Sequence, residues 1–164
     1  MKKVFVLIIS CFTIGGLLTA QTLNVQVGQV KYQFPADQAG VMTYTEGSTL
    51  TIMNKVFALA DVATMYVDES VVKDNTVAVE YNGQTAAITV AGNIAQYLTI
   101  STSGAHINIE QSDDVEEEIT YTLSGSSADG EFYMSGSYKA TIILNGLTLT
   151  NTTPMTTGAA VHIQ

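Results

Sequence analysis

The stretch that decides the fold is residues 117–151, EEITYTLSGSSADGEFYMSGSYKATIILNGLTLTN. It contains three short motifs of the form apolar residue, small polar residue, glycine, which end at Gly125, Gly136 and Gly146. The segment TYTLSG at 120–125 also aligns without gaps with TIILNG at 141–146. A period of about 20 residues is typical of stacked coils, as in a β-helix, where each coil buries its apolar face against its neighbours.

Periodicity alone leaves a second interpretation open, because a Thr- and Gly-rich β-sandwich would produce three such short matches by coincidence. The final run, residues 141–164, has the pattern strand, turn, strand, and so resembles an unfinished second coil. A β-helix needs about three or more repeats to be stable. We therefore expect the chain to be the start of a longer, truncated protein.

Upstream of this stretch the sequence predicts an all-β chain. Short alternating runs rich in Thr, Val, Ile and Tyr are interrupted by turn residues every few positions. Residues 21–72 are predicted to form a small N-terminal β module, and residues 73–112 a meander of about four strands. Asn82-Gly83 and Ser103-Gly104 are the hairpin signals in that meander. Residues 113–164 are predicted to begin the β-helix.

Residues 1–20 have the features of a secretory signal peptide. Lys2 and Lys3 precede an apolar run, and small residues end at Ala20. The apolar run is short for a membrane span, which needs about 20 residues, and the context of Cys11 fits a lipoprotein acylation site poorly. We expect cleavage near Ala20, a secreted or cell-surface location, and no membrane insertion afterwards.

The charge balance excludes some classes of partner. The formal net charge is −9, and cleavage after Ala20 would leave four lysines against fifteen acids, which gives −11. There is no arginine. A surface this acidic repels phosphate backbones and anionic lipids, so a nucleic-acid partner is not expected. Divalent cations would be attracted.

The quoted stretch resembles the opening of a family of secreted bacterial carbohydrate-binding proteins. In that family a Y-x-L-S-G strand leads to a short G-x-F/I strand, then to L-x-L-N-G-L-x-L-T-N and an alanine-rich strand start. The corresponding pieces here are 121–125, 130–136, 143–151 and 158–163. Residues 48–68 and 90–109 are similar to the region that often precedes this domain. The resemblance covers nearly all of the mature chain but only the first part of the β-helix.

The resemblance implies a right-handed parallel β-helix that binds calcium and plant cell-wall polysaccharide, acidic pectic chains in particular. It does not identify calcium ligands, because none of the matched motifs is a ligand motif. By the resemblance, we expect the remaining coils of the domain, and most of any binding face, to be missing from this sequence.

The acidic side chains of the C-terminal third are the candidate metal ligands. Hard oxygen ligands suit calcium, which takes six to eight of them. The candidates are Asp113, Asp114, Asp129 and Glu131. On a strand, the D-x-E spacing of the last two puts both carboxylates on one face; ordinary turn acids are the alternative. The run SDDVEEE at 112–118 is either a solvated linker or a cation-attracting loop.

Aromatic side chains are the candidate carbohydrate contacts. Tyr121, Tyr133 and Tyr138 could stack on sugar rings, although tyrosines on a sheet more often simply pack. The chain has no tryptophan. His106 and His162 alternate with apolar neighbours, and we expect each to be an exposed strand residue.

No catalytic constellation is apparent, so no catalytic residue is assigned and an enzyme is not expected. Serines are plentiful but none lies in a G-x-S-x-G context. The β-helix architecture also occurs in pectate lyases. By family analogy, those enzymes use calcium and a basic residue, usually arginine, and this chain has no arginine. With the resemblance, this predicts a secreted, non-catalytic protein that binds acidic polysaccharide with the help of calcium. A structural or adhesive surface module is the alternative.

Overall fold

The computed structural model describes residues 21–40, 42–45, 48–156 and 158–164, so the predicted signal peptide lies outside the described residues. The described residues form fourteen strands, one short helix, α1 (Ala36–Ala39), and two short 3₁₀ turns. The strands are β1 (Thr22–Val27), β2 (Val30–Pro35), β3 (Thr43–Thr45), β4 (Thr49–Ile52), β5 (Lys55–Ala58), β6 (Val62–Asp68), β7 (Thr76–Asn82), β8 (Thr85–Ala91), β9 (Leu98–Ser103), β10 (His106–Gln111), β11 (Ile119–Ser127), β12 (Glu131–Ser135), β13 (Ala140–Leu149) and β14 (Val161–Ile163).

The all-β prediction is confirmed, and it follows from the alternation of the sequence. In β7 the side chains of Val77, Val79 and Tyr81 are buried, while those between them are exposed. Because successive strand residues point to opposite faces, this pattern buries one face of the sheet. Gly83, with φ +69°, begins the tight turn between β7 and β8, as the hairpin signal predicted.

The largest sheet has seven strands in the order β13-β11-β7-β8-β2-β1-β6. It takes strands from all three predicted segments of the mature chain. The N-terminal strands join it through a parallel pairing of β2 with β8, in register from Val30 with Ile88 to Gln33 with Ala91. Within the described residues, β6 and β13 are the edges of this sheet.

A second sheet has four strands in the order β14-β12-β10-β9. Its hairpin, β9 with β10, is antiparallel, and its other pairings are parallel. The hairpin β7–β8 lies in the seven-stranded sheet instead. In the meander predicted for residues 73–112, β8 and β9 would pair with each other. In the structure they lie in different sheets.

Two parallel ladders account for the sequence repeat. In the seven-stranded sheet β11 lies between β7 and β13 and is parallel to both. Thr120 pairs with Thr141 and Ser124 with Asn145, which is the alignment found in the sequence. In the four-stranded sheet β12 lies between β10 and β14 in the same way. Chain segments in residues 119–163 therefore alternate between the two sheets.

Gly125 interrupts the first ladder. The register between β11 and β13 shifts between Ser124 and Ser126, and Gly125 has φ +80°. A Cβ atom at this position would lie 2.1 Å from the carbonyl oxygen of Tyr81. Glycine is required here both by the left-handed backbone and by the close approach of β7.

The core lies between the inner faces of the two larger sheets. Tyr121 of β11 contacts Phe132 of β12 edge to face, with ring centroids 6.0 Å apart. The hydroxyl of Tyr81 donates a hydrogen bond across the gap to the backbone oxygen of Glu131, at 3.1 Å. Full burial of a large apolar side chain contributes about 1.5–3 kcal/mol, so these contacts hold the two ladders face to face.

A three-stranded sheet, β3-β4-β5, covers the N-terminal part of the core. Phe57 of β5 packs edge-on against Tyr32 and Phe34 of β2, at centroid distances of 5.1 and 6.1 Å. The ammonium of Lys55 donates to the backbone oxygen of Leu98, at 3.0 Å. The small sheet is thus attached to both larger sheets.

Candidate functional site

The four predicted metal ligands separate into two pairs. Asp113 accepts a hydrogen bond from the Ser137 hydroxyl at 2.8 Å, and Asp114 lies 3.2 Å from the Ser112 hydroxyl. Asp129 and Glu131 meet elsewhere, beside β10. The D-x-E spacing therefore does bring two carboxylates to one place, although Asp129 precedes the start of β12.

The acidic run at 112–118 packs on the fold. The side chain of Val115 is buried. Glu117 accepts a hydrogen bond from the amide of Asn75, and Glu118 one from the hydroxyl of Thr141. A cavity of about 180 Å³ lies beside it, lined among others by Asn75, Asn93 and Glu117. The segment is tied to both neighbouring strands of the parallel ladder.

The three candidate tyrosines have different environments. Tyr121 is fully buried, and burial raises its pKa to about 12 even though its hydroxyl accepts a hydrogen bond from Gln111 at 2.8 Å. It is part of the core and is closed to a sugar. Tyr138 is 42% exposed. Tyr133 is half-buried on the outer face of the four-stranded sheet.

The ring of Tyr133 stacks on that of His162, with centroids 5.2 Å apart and planes within 2°. This separation matches the spacing of adjacent strands, about 4.8 Å, so the rings stack from strand to strand. One face of Tyr133 is therefore covered by His162. The Tyr133 hydroxyl donates to the Gln164 side chain at 2.6 Å.

The prediction that both histidines are exposed is wrong: His162 is half-buried beside Tyr133, and His106 is more enclosed. Its side chain was expected to be exposed, but it is only 13% exposed. Its Nε2 lies 3.6 Å from Asp129 Oδ1, and its Nδ1 lies 3.5 Å from Glu131 Oε2 without hydrogen-bond geometry. The alternation along β10 was correct, but the parallel pairing of His106 with Glu131 brings both acids over the imidazole.

The two acids also hold a loop, residues 152–156, which we call the threonine loop. Asp129 accepts hydrogen bonds from the backbone N–H groups of Thr152 and Thr153, at 3.0 and 2.9 Å, and from the Thr153 hydroxyl. These bonds, the Thr153 hydroxyl first, hold the pKa of Asp129 well below its usual range. An exposed carboxylate is thus stabilised in its charged form by the loop.

Glu131 accepts hydrogen bonds from the same loop at a buried position. It is 1% exposed. Its carboxylate accepts from the backbone N–H groups of Met155 and Thr156, at 3.0 and 3.3 Å, and from the Thr156 hydroxyl. Buried charges are tolerated where hydrogen bonds compensate the lost water, and here the threonine loop supplies those bonds.

A cleft of about 310 Å³ lies between the threonine loop and the hairpin β9–β10. Its polar lining consists of Ser101, Thr102, Ser103, His106, Asn108, Glu131 and Thr156, and its apolar lining of Ile107 and Met155. Both His106 Nδ1 and Asn108 Oδ1 have no hydrogen-bond partner among the described residues. The volume is at the lower end of the range for small-ligand sites.

From the cleft, a row of side chains crosses the outer face of the sheet. Asn108 pairs in register with Ser101 on one side and with Tyr133 on the other, and Tyr133 pairs with His162. The four positions lie on adjacent strands. They form a polar track that begins in the cleft and ends at β14.

The carboxylates of Asp129 and Glu131 do not by themselves complete a calcium site. Calcium needs six to eight oxygen ligands, whereas the oxygens of Asp129 and Glu131 already accept hydrogen bonds from the threonine loop. Within the described part of the chain, no group of three or more His, Cys, Asp or Glu side chains could hold a metal ion. The same part contains no helix of the length and apolarity required to cross a bilayer.

Comparison with known proteins does not assign the chain to a group: no known protein family, curated protein or solved structure matches it.

Two features of the candidate site were not predicted from the sequence, namely the position of His106 and the threonine loop. The acids were found because their spacing is local. Their partners are distant along the chain, with His106 well before the acids and the threonine loop well after them. The signal that the sequence offered was the cluster of threonines at 152–156.

Proposed function

We propose that the chain is a secreted, non-catalytic carbohydrate-binding protein whose sugar site is the cleft beside His106. The observation that carries the proposal is the lining of this cleft. The hydroxyls of Ser101 and Ser103 and the amide of Asn108 lie on the same face of the hairpin β9–β10 and line a small open volume. Hydroxyl and amide groups both donate and accept hydrogen bonds, as the hydroxyls of a sugar require.

The polar track supports a polymeric ligand. It continues from Asn108 to Tyr133 and His162 across three parallel strands. Adjacent strands are about 4.8 Å apart, so a saccharide chain that starts in the cleft would pass along a regular row of polar side chains. The fold offers such a row because its strands are parallel and in register.

The environment of the ionisable groups supports binding without catalysis. A general acid or base needs access to the reacting group and a free proton-transfer position. Glu131 is buried and bound to the threonine loop, and Asp129 holds the same loop. Both carboxylates therefore have a structural use.

The proposal also covers the type of β fold. We propose that the two parallel ladders are the first coils of a right-handed parallel β-helix. The support is the alternation of β11, β12, β13 and β14 between two facing sheets. Crystallography of the mature chain tests it through the hand of the path from β11 through β12 to β13; a left-handed path would contradict it.

Affinity gel electrophoresis of the mature chain in a panel of soluble plant polysaccharides would test the function. A matched pair of variants locates the site: Ser101→Tyr fills the cleft, and Thr99→Tyr adds the same bulk on the same face of β9 outside it. We expect retardation by at least one polysaccharide, lost in Ser101→Tyr and kept in Thr99→Tyr. New reducing or unsaturated ends in the polymer would show an enzyme.

The alternative is a structural or adhesive module, and one observation favours it. The edge strand β13 exposes Ile143 and Leu144, at 45% and 63%, and the opposite edge strand β6 exposes Met65 and Val67. Apolar edge strands promote association. Concentration-dependent assembly together with no retardation by any polysaccharide would favour this alternative.

A further inference from the structure

The charges around the cleft indicate which sugar it accepts. Glu131 lines the cleft and Asp129 lies on the other side of the imidazole of His106. No lysine is among the lining residues, and the sequence contains no arginine. A sugar carboxylate placed here would face the carboxylate of Glu131, with Asp129 beyond the imidazole, and like charges at close range repel.

Calcium could reverse that repulsion only by binding these carboxylates, most of whose lone pairs already accept hydrogen bonds from the threonine loop. Asp129 and Glu131 together accept hydrogen bonds from four backbone N–H groups and two threonine hydroxyls. An ionised carboxylate has about four lone-pair sites, so these bonds leave about one site on each group, far short of the six to eight oxygen ligands that calcium takes. Asp129 and Glu131 therefore serve to hold the threonine loop beside the cleft.

We infer that the cleft takes an uncharged sugar residue, through hydrogen bonds and without a metal ion. This rests on the proposed function and narrows it, since the sequence had predicted an acidic, calcium-assisted ligand. The donors and acceptors are the hydroxyls of Ser101 and Ser103 and the amide of Asn108, whose Nδ2 also donates a long hydrogen bond to Glu110 Oε1 at 3.5 Å. The apolar surface of Met155 faces the C–H groups of the sugar ring.

The probes are neutral galactan, arabinan and xyloglucan on one side and polygalacturonate on the other. Each is used in affinity gels with the mature chain, with added calcium and with a chelator, at low and high salt. We expect retardation by a neutral polymer that neither chelator nor salt changes. Retardation by polygalacturonate alone, and only with calcium, would overturn the inference while leaving the proposed function standing. Retardation by no polymer would overturn both.

One substitution separates the two mechanisms at the same position. Asn108→Asp is nearly isosteric and replaces the amide donor by a carboxylate, whereas Thr148→Asp adds the same charge on β13, away from the cleft. Loss of one hydrogen bond weakens neutral binding about 2- to 10-fold, so we expect this loss for Asn108→Asp and none for Thr148→Asp. Stronger, calcium-dependent retention of Asn108→Asp on polygalacturonate would contradict the inference. Circular dichroism of both variants verifies that each is folded.

Discussion

Alanine at Gly125 and alanine at Gly146 should have different effects on stability, although the two glycines occupy equivalent places in the repeat. Both have a left-handed backbone, with φ +80° and +67°. A Cβ at Gly146 meets nothing within 4 Å, whereas a Cβ at Gly125 would lie 2.1 Å from the carbonyl oxygen of Tyr81. The pair therefore separates the cost of the conformation from the cost of the contact.

The magnitudes follow from these two terms. A left-handed conformation costs a residue with a Cβ roughly 1–2 kcal/mol, and part of this is offset because alanine restricts the unfolded chain by about 0.4–1 kcal/mol relative to glycine. Gly146→Ala should thus lose about 1 kcal/mol. Gly125→Ala adds an overlap with rigid backbone, and overpacking typically costs about 1–3 kcal/mol, so we expect a total loss of about 3 kcal/mol or more.

Urea unfolding of the mature chain, followed by circular dichroism, would measure both free energies of unfolding. For a domain of this size about 1 kcal/mol corresponds to a Tm change of about 2–4 °C, so thermal unfolding should show the same difference. Equal losses in the two variants would refute the reasoning, because they would mean that β7 does not approach β11 closely at Gly125.

Three further predictions concern titration and export. The folded state lowers the pKa of Asp129. Its contribution to stability should therefore be present above the unfolded pKa, about 3.9, and be lost as pH falls below that value. In urea unfolding, Asp129→Asn should remove this part of the acid dependence. Burial raises the pKa values of Tyr81 and Tyr121, the second to about 12. Their contribution to the free energy of unfolding should therefore be lost as pH rises above about 10. An ultraviolet titration in which all tyrosines ionise together below about pH 10 would contradict this. Intact mass of the exported protein should correspond to a chain beginning at Gln21, and a lipid-modified Cys11 at the N-terminus would be the contrary result.

The positions of the strands could be predicted from the sequence because the period-2 alternation is local. The runs TLNVQV, TVAVEY and HINIEQ coincide with β1, most of β7 and β10. The alignment of 120–125 with 141–146 was also readable, since paired parallel strands present equivalent side chains to the same neighbours. These signals need no knowledge of which strands meet.

The choice of partner strands could not be predicted in this way. Nothing in the alternation of β8 indicates that it pairs with β2, or that β9 begins a different sheet. The site depends on such choices, because His106 meets Glu131 only through the pairing of β10 with β12. A buried carboxylate at position 131 is also unexpected from residue type, since an acid is rarely buried without partners, and its partners lie in a loop that follows β13.

The parallel ladders have a consequence for the order in which the chain folds. The hairpin β7–β8 closes a tight turn, but three strands separate β7 from its partner β11 along the chain, and β12 separates β11 from β13. Non-local pairing is slow because the chain loses loop entropy before contacts form. We expect β7–β8 to act as the template on which β11 and then β13 add, so refolding should be multiphasic, with protection from hydrogen exchange appearing first in the hairpin and last in β13. Simultaneous protection of all three strands would show that the ladder forms in one step.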